Sequence, residues 1–169
     1  MAYKKTIVIE DANIWLSFLI GSKYNDLLAI LKDPNYKIVY CEELIKELYN
    51  SLKHPKFAKY FTKQDVSKLA RTIKTFAHKA EIRPPYPKIT RDPKDDYIIE
   101  LAVSTKADHI VTNDNDLLTI NKHQNTQIVS LATFATKYYQ QKAVQYARKA
   151  KEFERIAKKE TKKFSGRHM

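Results

Sequence analysis

The chain has 169 residues, 43% of them apolar, and carries 31 Lys and Arg against 19 Asp and Glu, a net charge of +12. That length and apolar share suit one hydrophobic core with a modest extension. No apolar run approaches the roughly 18 residues of a transmembrane helix, and MAYKKTIVIED has no apolar stretch ahead of a small-residue cleavage site, so a cytoplasmic location without a membrane partner is expected. The lone Cys41 excludes an intramolecular disulfide and reads as a small buried hydrophobe after KIVY. His54, His78, His109, His123 and His168 lack the paired Cys/His spacing of a zinc site. With Gly21 and Gly166 as the only glycines, neither a GxGxxG turn nor a P-loop can be built.

In chain order, TIVIE is a β-rich run, followed by an apolar helical stretch from Ile14 to Ile20 and a second from Ser22 to Lys32 that Pro34 closes. KIVYC reads as the second strand. It leads into EELIKELYNSL, where Leu44, Leu48 and Leu52 recur at helical spacing and Glu47 sits at the edge of that face. Thr62 and Asp65 have the spacing of a capping box opening TKQDVSKLARTIKTFAHKA, and RPPYPKITRDP ends that helical section. A third helical region begins after Pro93 and runs through DDYIIELAVSTK. HIVT is a strand, DNDLLTI a short helix, TQIVS the last strand, and a basic helix runs from Leu131 toward Phe164. The final SGRHM has neither helical nor core character.

Strands alternating with helices of this length imply a mainly parallel sheet covered on both faces, because parallel strands need crossover connections. Ligands of such sheets bind beyond the carboxyl ends of the strands. Asp11 follows TIVIE directly, Asp114 follows HIVT by one residue, Glu47 lies on the helix after KIVYC, and Asp96 occupies a first helical turn, where the dipole favours a carboxylate. An acidic group in a basic protein needs a cation. Carboxylates are hard oxygen ligands that suit Mg²⁺ or Mn²⁺, and one such ion, or two about 4 Å apart, would activate water toward a phosphodiester. Arg91 and Lys94 flank the third acid and suit phosphates. Asp92 and Asp95 read as helix caps, while Asp116 is evenly placed between ligand and cap.

The charge is uneven: Lys137 to Met169 carries 11 Lys and Arg against 3 acids, leaving 20 against 16 for residues 1–136. Positive charge concentrated in this way attracts polyanions through counterion release, which makes Arg148, Lys149, Lys158 and Lys159 candidate nucleic-acid contacts. Residues 1–136 are read as the domain that holds the acids and 137–169 as a basic helical extension.

Taken together, these segments resemble the PIN-domain ribonucleases, in particular the bacterial single-domain PIN proteins regarded as toxins of toxin–antitoxin pairs. The resemblance covers about residues 5 to 136. It rests on Asp11-x-Asn13 with Ser17 after it, Glu47, HPKF at 54–57, RDPKDD at 91–96 followed by ELA, and the run from Ala107 to Leu118. It implies a PIN-like three-layer α/β/α sandwich with a central, mainly parallel sheet, a Mg²⁺- or Mn²⁺-dependent endoribonuclease acting on RNA, a homodimer, and a small antitoxin partner. By position it marks Asp11, Glu47, Asp96 and Asp114 as catalytic and metal-binding, Asp116 as a further ligand, and Asn13 and Thr112 as auxiliary. Two departures stand out. Ala12 replaces the family's common Thr, which removes a hydroxyl, and Glu10 replaces an apolar residue; strand alternation turns Glu10 away from Asp11, toward a local ion pair. The alternative is a PIN-fold module, weakened by Ala12, that binds RNA or docks a partner.

Overall fold

A computed structural model of the chain describes residues 3–20 and 23–165. The helix start expected at Ser22 and the last four residues of SGRHM lie outside the described residues. Two compact units are present, Met1–Leu131 and Ala132–Met169.

The first unit is built on strand β1 (Thr6–Glu10), whose last three residues are buried. Asp11 then caps helix α1 (Ala12–Ser17), which buries Ala12, Ile14, Trp15 and Leu16. After α2 (Tyr24–Leu31) and β2 (Tyr36–Tyr40) comes α3 (Glu42–Asn50), which buries Leu44, Ile45 and Leu48 at the expected spacing. A 3₁₀ turn at Ser51–Lys53 leads to the four-residue α4 (Pro55–Ala58), with proline at the first helical position. The capping box forms as the sequence predicts: Thr62 Oγ1 accepts from Asp65 N at 3.1 Å and Asp65 Oδ2 accepts from Thr62 N at 2.8 Å, opening α5 (Lys63–Phe76). Strand β3 (His78–Lys79), a 3₁₀ turn at Pro93–Asp95, α6 (Asp96–Thr105), β4 (His109–Val111), α7 (Asn115–Ile120), β5 (Lys122–His123) and β6 (Thr126–Val129) complete the unit. Cys41 is fully buried, and burial pushes its thiol up to about 12.

The six strands lie in the order β3-β2-β1-β4-β6-β5. All neighbours are parallel except β5 with β6. The chain moves one way across the sheet from β1 through β2 to β3, then jumps back past β1 to β4. Right-handed crossovers therefore put α1 to α5 on one face and α6 on the other, which gives the mainly parallel α/β sandwich.

Glu10 departs from expectation. It is fully buried and neither carboxyl oxygen has a hydrogen-bond partner. The ion pair expected for it does not form among the described residues. Burial pushes its carboxyl up to about 8, so at neutral pH it is largely an uncharged acid in the core.

Helix α8 (Leu131–Ser165), 35 residues and about 50 Å long, makes up most of the second unit and matches the long basic helix read from sequence. Tyr139, Tyr146 and Phe153 recur on it every seventh residue and are 54%, 67% and 71% exposed. No helix among the described residues is long and apolar enough to cross a membrane.

The folded protein keeps the Glu10 proton to about pH 8, whereas an unfolded chain releases it near 4.5. The native state thus binds more protons between those values, and stability falls as pH rises through them. Glu10→Leu should raise stability by about 1–3 kcal/mol at pH 7 and flatten that slope. Urea unfolding between pH 5 and 8 measures both; a destabilised variant with the wild-type slope refutes this account.

Candidate active site

At β1 the strand order turns back: β2 and β3 extend to one side and β4 to the other. A crevice opens at such a reversal, outside the carboxyl ends of the two diverging strands. Asp11 and Thr112 follow β1 and β4 into it, and a backbone bond from Asp11 N to Val111 O at 2.9 Å fixes their register.

Asp11 is 6% exposed. Its Oδ1 accepts from Ala12 N at 2.7 Å and its Oδ2 from Thr112 Oγ1 at 2.8 Å. The same Thr112 oxygen accepts from Asp114 N at 3.0 Å, so one buried hydroxyl ties two acids together. Asp114 in turn caps α7, its Oδ1 accepting from Asp116 N at 2.9 Å. Burial pushes the Asp11 carboxyl above the usual carboxylate range and the Asp114 charge adds to this, while the Thr112 and Ala12 donors work against it.

Glu47 reaches the same place from α3. The Tyr97 hydroxyl donates to its Oε2. Burial raises its carboxyl, Tyr97 opposes the rise, and the charges of Asp11 and Asp114 reinforce it. The fourth member is Asp95. Burial, followed by the charges of Asp114, Asp11, Glu47 and Asp92, pushes it up to about 7. Although Asp95 stands at the N-cap position of α6, its side chain makes no capping bond, so the capping role read from sequence does not hold. Asp92 does cap, accepting from Lys94 N at 3.1 Å.

Asp96, the acid favoured by sequence, is engaged elsewhere. Its Oδ1 accepts from Ile89 N at 3.0 Å and from Thr90 N and Thr90 Oγ1 at 2.8 Å each. Burial pulls its carboxyl upward, but these donors and nearby Lys88 outweigh that and hold it below the usual range. Asp96 therefore anchors the end of the proline-rich loop. The correction has a simple cause: adjacent helical residues point about 100° apart, and α6 buries Tyr97, Ile98, Ile99, Leu101 and Ala102 nearly all round, so periodicity could not choose between neighbouring acids.

Asp116 lies at the rim, 3.6 Å from Arg91 Nη1. Arg91 is 85% exposed, so that contact is weak. Lys94 and Asn13 are exposed near the third and first acids. Arg148, Lys149, Lys158 and Lys159 lie exposed on α8, in the other unit.

Among the described residues, no three His, Cys, Asp or Glu side chains are close enough in this geometry to hold a metal ion. The donor chemistry nevertheless suits a hard divalent cation. Asp11, Glu47, Asp95 and Asp114 supply only carboxylate oxygens, and among the described residues the charges given as shifting the first three are all those of acids.

Asp95 and Asp96 should answer mutation with opposite signs. In chelator, folded Asp95 keeps its proton to about pH 7 while the unfolded chain loses it near 3.8, so stability falls as pH rises through that window. At pH 8, Asp95→Asn should raise stability by about 1–2 kcal/mol, a value discounted for partial exposure, and Asp96→Ala should lower it by about 2 kcal/mol or more through two orphaned backbone donors, Ile89 N and Thr90 N. Thermal melts of both variants at pH 5.5 and 8 test the assignment, which fails if Asp95→Asn is the destabilised one.

No curated protein matches the chain. Among solved structures it is similar to one of VapBC2 from Rickettsia felis bound to a DNA fragment from their promoter, at 15% identity over 74% of this chain and 98% of that one, with a TM-score of 0.47. The sequence profile described as the PIN domain matches residues 7–116, about two thirds of the chain, and takes in Asp11, Glu47, Asp95 and Asp114. The chain belongs to the PIN domain family.

Proposed function

We propose that the protein is a metal-dependent endoribonuclease of the cytoplasm and the toxin of a toxin–antitoxin pair, acting as a homodimer held in check by a small antitoxin. What supports the nuclease part is that Asp11 and Asp114 follow the two strands that diverge at the sheet's reversal point and, among the described residues, the charges given as raising Asp11, Glu47 and Asp95 all come from other acids. Family membership supports it.

Asp11, Glu47, Asp95 and Asp114 would hold one or two Mg²⁺ or Mn²⁺ ions. Bound there, such an ion lowers the pKa of a water and stabilises charge on the leaving oxygen. The remaining work belongs to the chain. Thr112 orients Asp11 and sets the start of α7, so the Asp11 and Asp114 carboxylates share one buried reference point. Tyr97 aims Glu47. Asp95, at about 7, carries a proton much of the time near neutral pH, and ion binding must displace it. Ala12 still donates its backbone N–H to Asp11, so the missing Thr hydroxyl leaves that contact in place. Asn13 stands ready at the rim, as do Arg91 and Lys94 for phosphate.

Cleavage of a structured RNA should vanish in EDTA and return with Mn²⁺. Asp11→Asn, Asp95→Asn and Asp114→Asn should each lose at least about a hundredfold in rate, with Asp92→Asn as the unaffected control. Wild-type rates for Asp114→Asn would remove the cluster from catalysis.

A second reading concerns the extension, taken as residues 137–169. The exposed aromatics Tyr139, Tyr146 and Phe153, at heptad spacing and each followed four residues later by Ala143, Ala150 or Ala157, favour a helical partner over RNA. Neutralising Arg148, Lys149, Lys158 and Lys159 to Gln distinguishes the two. An RNA arm would lose about three units of log–log salt slope, about 0.7 for each of four single-strand phosphate contacts; a docking helix would leave RNA binding unchanged.

A further inference from the structure

The densest basic stretch of the chain outside the extension lies on the first unit. From Lys53 to Lys74 there are seven Lys and Arg and a single acid, Asp65. That acid is occupied by the capping box of α5, where its Oδ2 accepts from both Thr62 N and Thr62 Oγ1 at 2.8 Å. Lys74 lies 4.0 Å from Glu42, and Lys68 stands 4.9 Å above the Tyr24 ring. Lys53, Lys56, Lys59, Lys63 and Arg71 are all exposed, and among the described residues none of them pairs with a carboxylate.

One ring stands among them. Tyr60 is 65% exposed, while its neighbour Phe61, at 6%, is packed inside and fixes the turn; the two ring centroids are 6.4 Å apart. Between Lys53 and Arg71, Tyr60 is the only large apolar side chain among the described residues that is mostly exposed. A protein partner needs several apolar anchors in one patch. Spaced ammonium groups with a single outward ring instead match a single nucleic-acid strand, whose phosphates meet the lysines while a base stacks on the ring.

The patch also begins beside the acids. Ser51 Oγ donates to Glu47 O at 3.0 Å, and the 3₁₀ turn that carries Lys53 continues directly from α3. Lys53 lies six positions after Glu47, about 9 Å at a helical rise. We propose that the α4–α5 surface, through Lys53, Lys56, Lys59, Lys63 and Tyr60, holds single-stranded RNA and leads it to the carboxylate crevice. This rests on the nuclease reading and supplies that reading's missing binding surface.

The test uses the full chain and a labelled oligouridine. In EDTA, fluorescence anisotropy across a salt series should show the combined variant Lys53→Ala, Lys56→Ala and Lys59→Ala binding at least tenfold more weakly, with a log–log salt slope smaller by about two, since each single-strand phosphate contact contributes about 0.7. Tyr60→Ala should weaken binding several-fold without changing the slope, Tyr60→Phe should restore it, and a duplex of equal length should bind less well than the single strand. With Mn²⁺, the lysine variant should raise KM and keep kcat. Unchanged affinity and slope in the lysine variant would leave the surface to a protein partner and overturn the proposal, even if the wild type cleaves RNA. A silent Tyr60→Ala together with equal duplex binding would overturn the single-strand claim. If the wild type binds through these lysines but never cleaves with either metal, the nuclease reading fails and the strand-holding surface stands.

Discussion

Like-charge crowding is the constraint around which this fold is arranged. A parallel sheet whose chain reverses at β1 brings the ends of β1 and β4 side by side, and here both ends run directly into acids. Asp11 and Asp114 repel, yet each begins a helix, so unpaired N–H groups face them; Ala12 N and Asp116 N are the donors used. Thr112 adds the third support from a fully buried position. Glu47 and Asp95 then approach from helices with less compensation, and burial first, then the charges of the neighbouring acids, push the Asp95 carboxyl up to about 7. The arrangement persists because its surroundings are stiff. Trp15, Ile9, Ile14, Leu44, Leu48 and Ile98 are all at most 1% exposed, and a core that dense resists the relaxation that would separate the acids.

Two adjacent residues show how finely such a site is divided. Asp95 and Asp96 share a helix start and a residue type, but one faces other acids and the other faces three donors. The Asp96 bonds close the loop that precedes it, and that loop carries Arg91 to the rim opposite Asp116. Asp96 thereby positions the rim while Asp95 faces the crevice. Composition and periodicity place both at a helix start, Asp95 as a cap and Asp96 as a first-turn carboxylate, and say nothing of which faces the other acids. Only the path of the loop from Ile89 to Arg91 separates them, and that path depends on tertiary contacts absent from any local pattern.

Elsewhere, legibility in the sequence followed element length. Strands of three to five residues with apolar alternation, the capping box at Thr62 and the long basic helix were all readable because each carries its signal locally. The two-residue strands β3 and β5 were not. β3 lies in a stretch that scans as the end of the preceding helix. β5 pairs with β6 through a two-residue loop, Gln124–Asn125, in which Gln124 takes φ 51°, a left-handed conformation that no glycine announces. Glu10 misled for another reason: burial without a hydrogen-bond partner is a property of what packs over it, which strand alternation does not register. The α4–α5 basic surface escaped because its lysines fall across a helix, a turn and a second helix, so no single period gathers them.

The separation of lysines from acids has an electrostatic logic. A phosphate cannot settle among four carboxylates unless a cation is already there, whereas it can settle on Lys53 without one. About 9 Å separates Lys53 from Glu47 along the chain, and the screening length at physiological salt is about 8 Å. A strand held on the α4–α5 surface would therefore feel the acids only weakly until a metal ion reversed the sign of the crevice. On that view binding and cleavage are two electrostatic events on one unit: the first governed by salt, the second by the proton on Asp95 and the ion that displaces it.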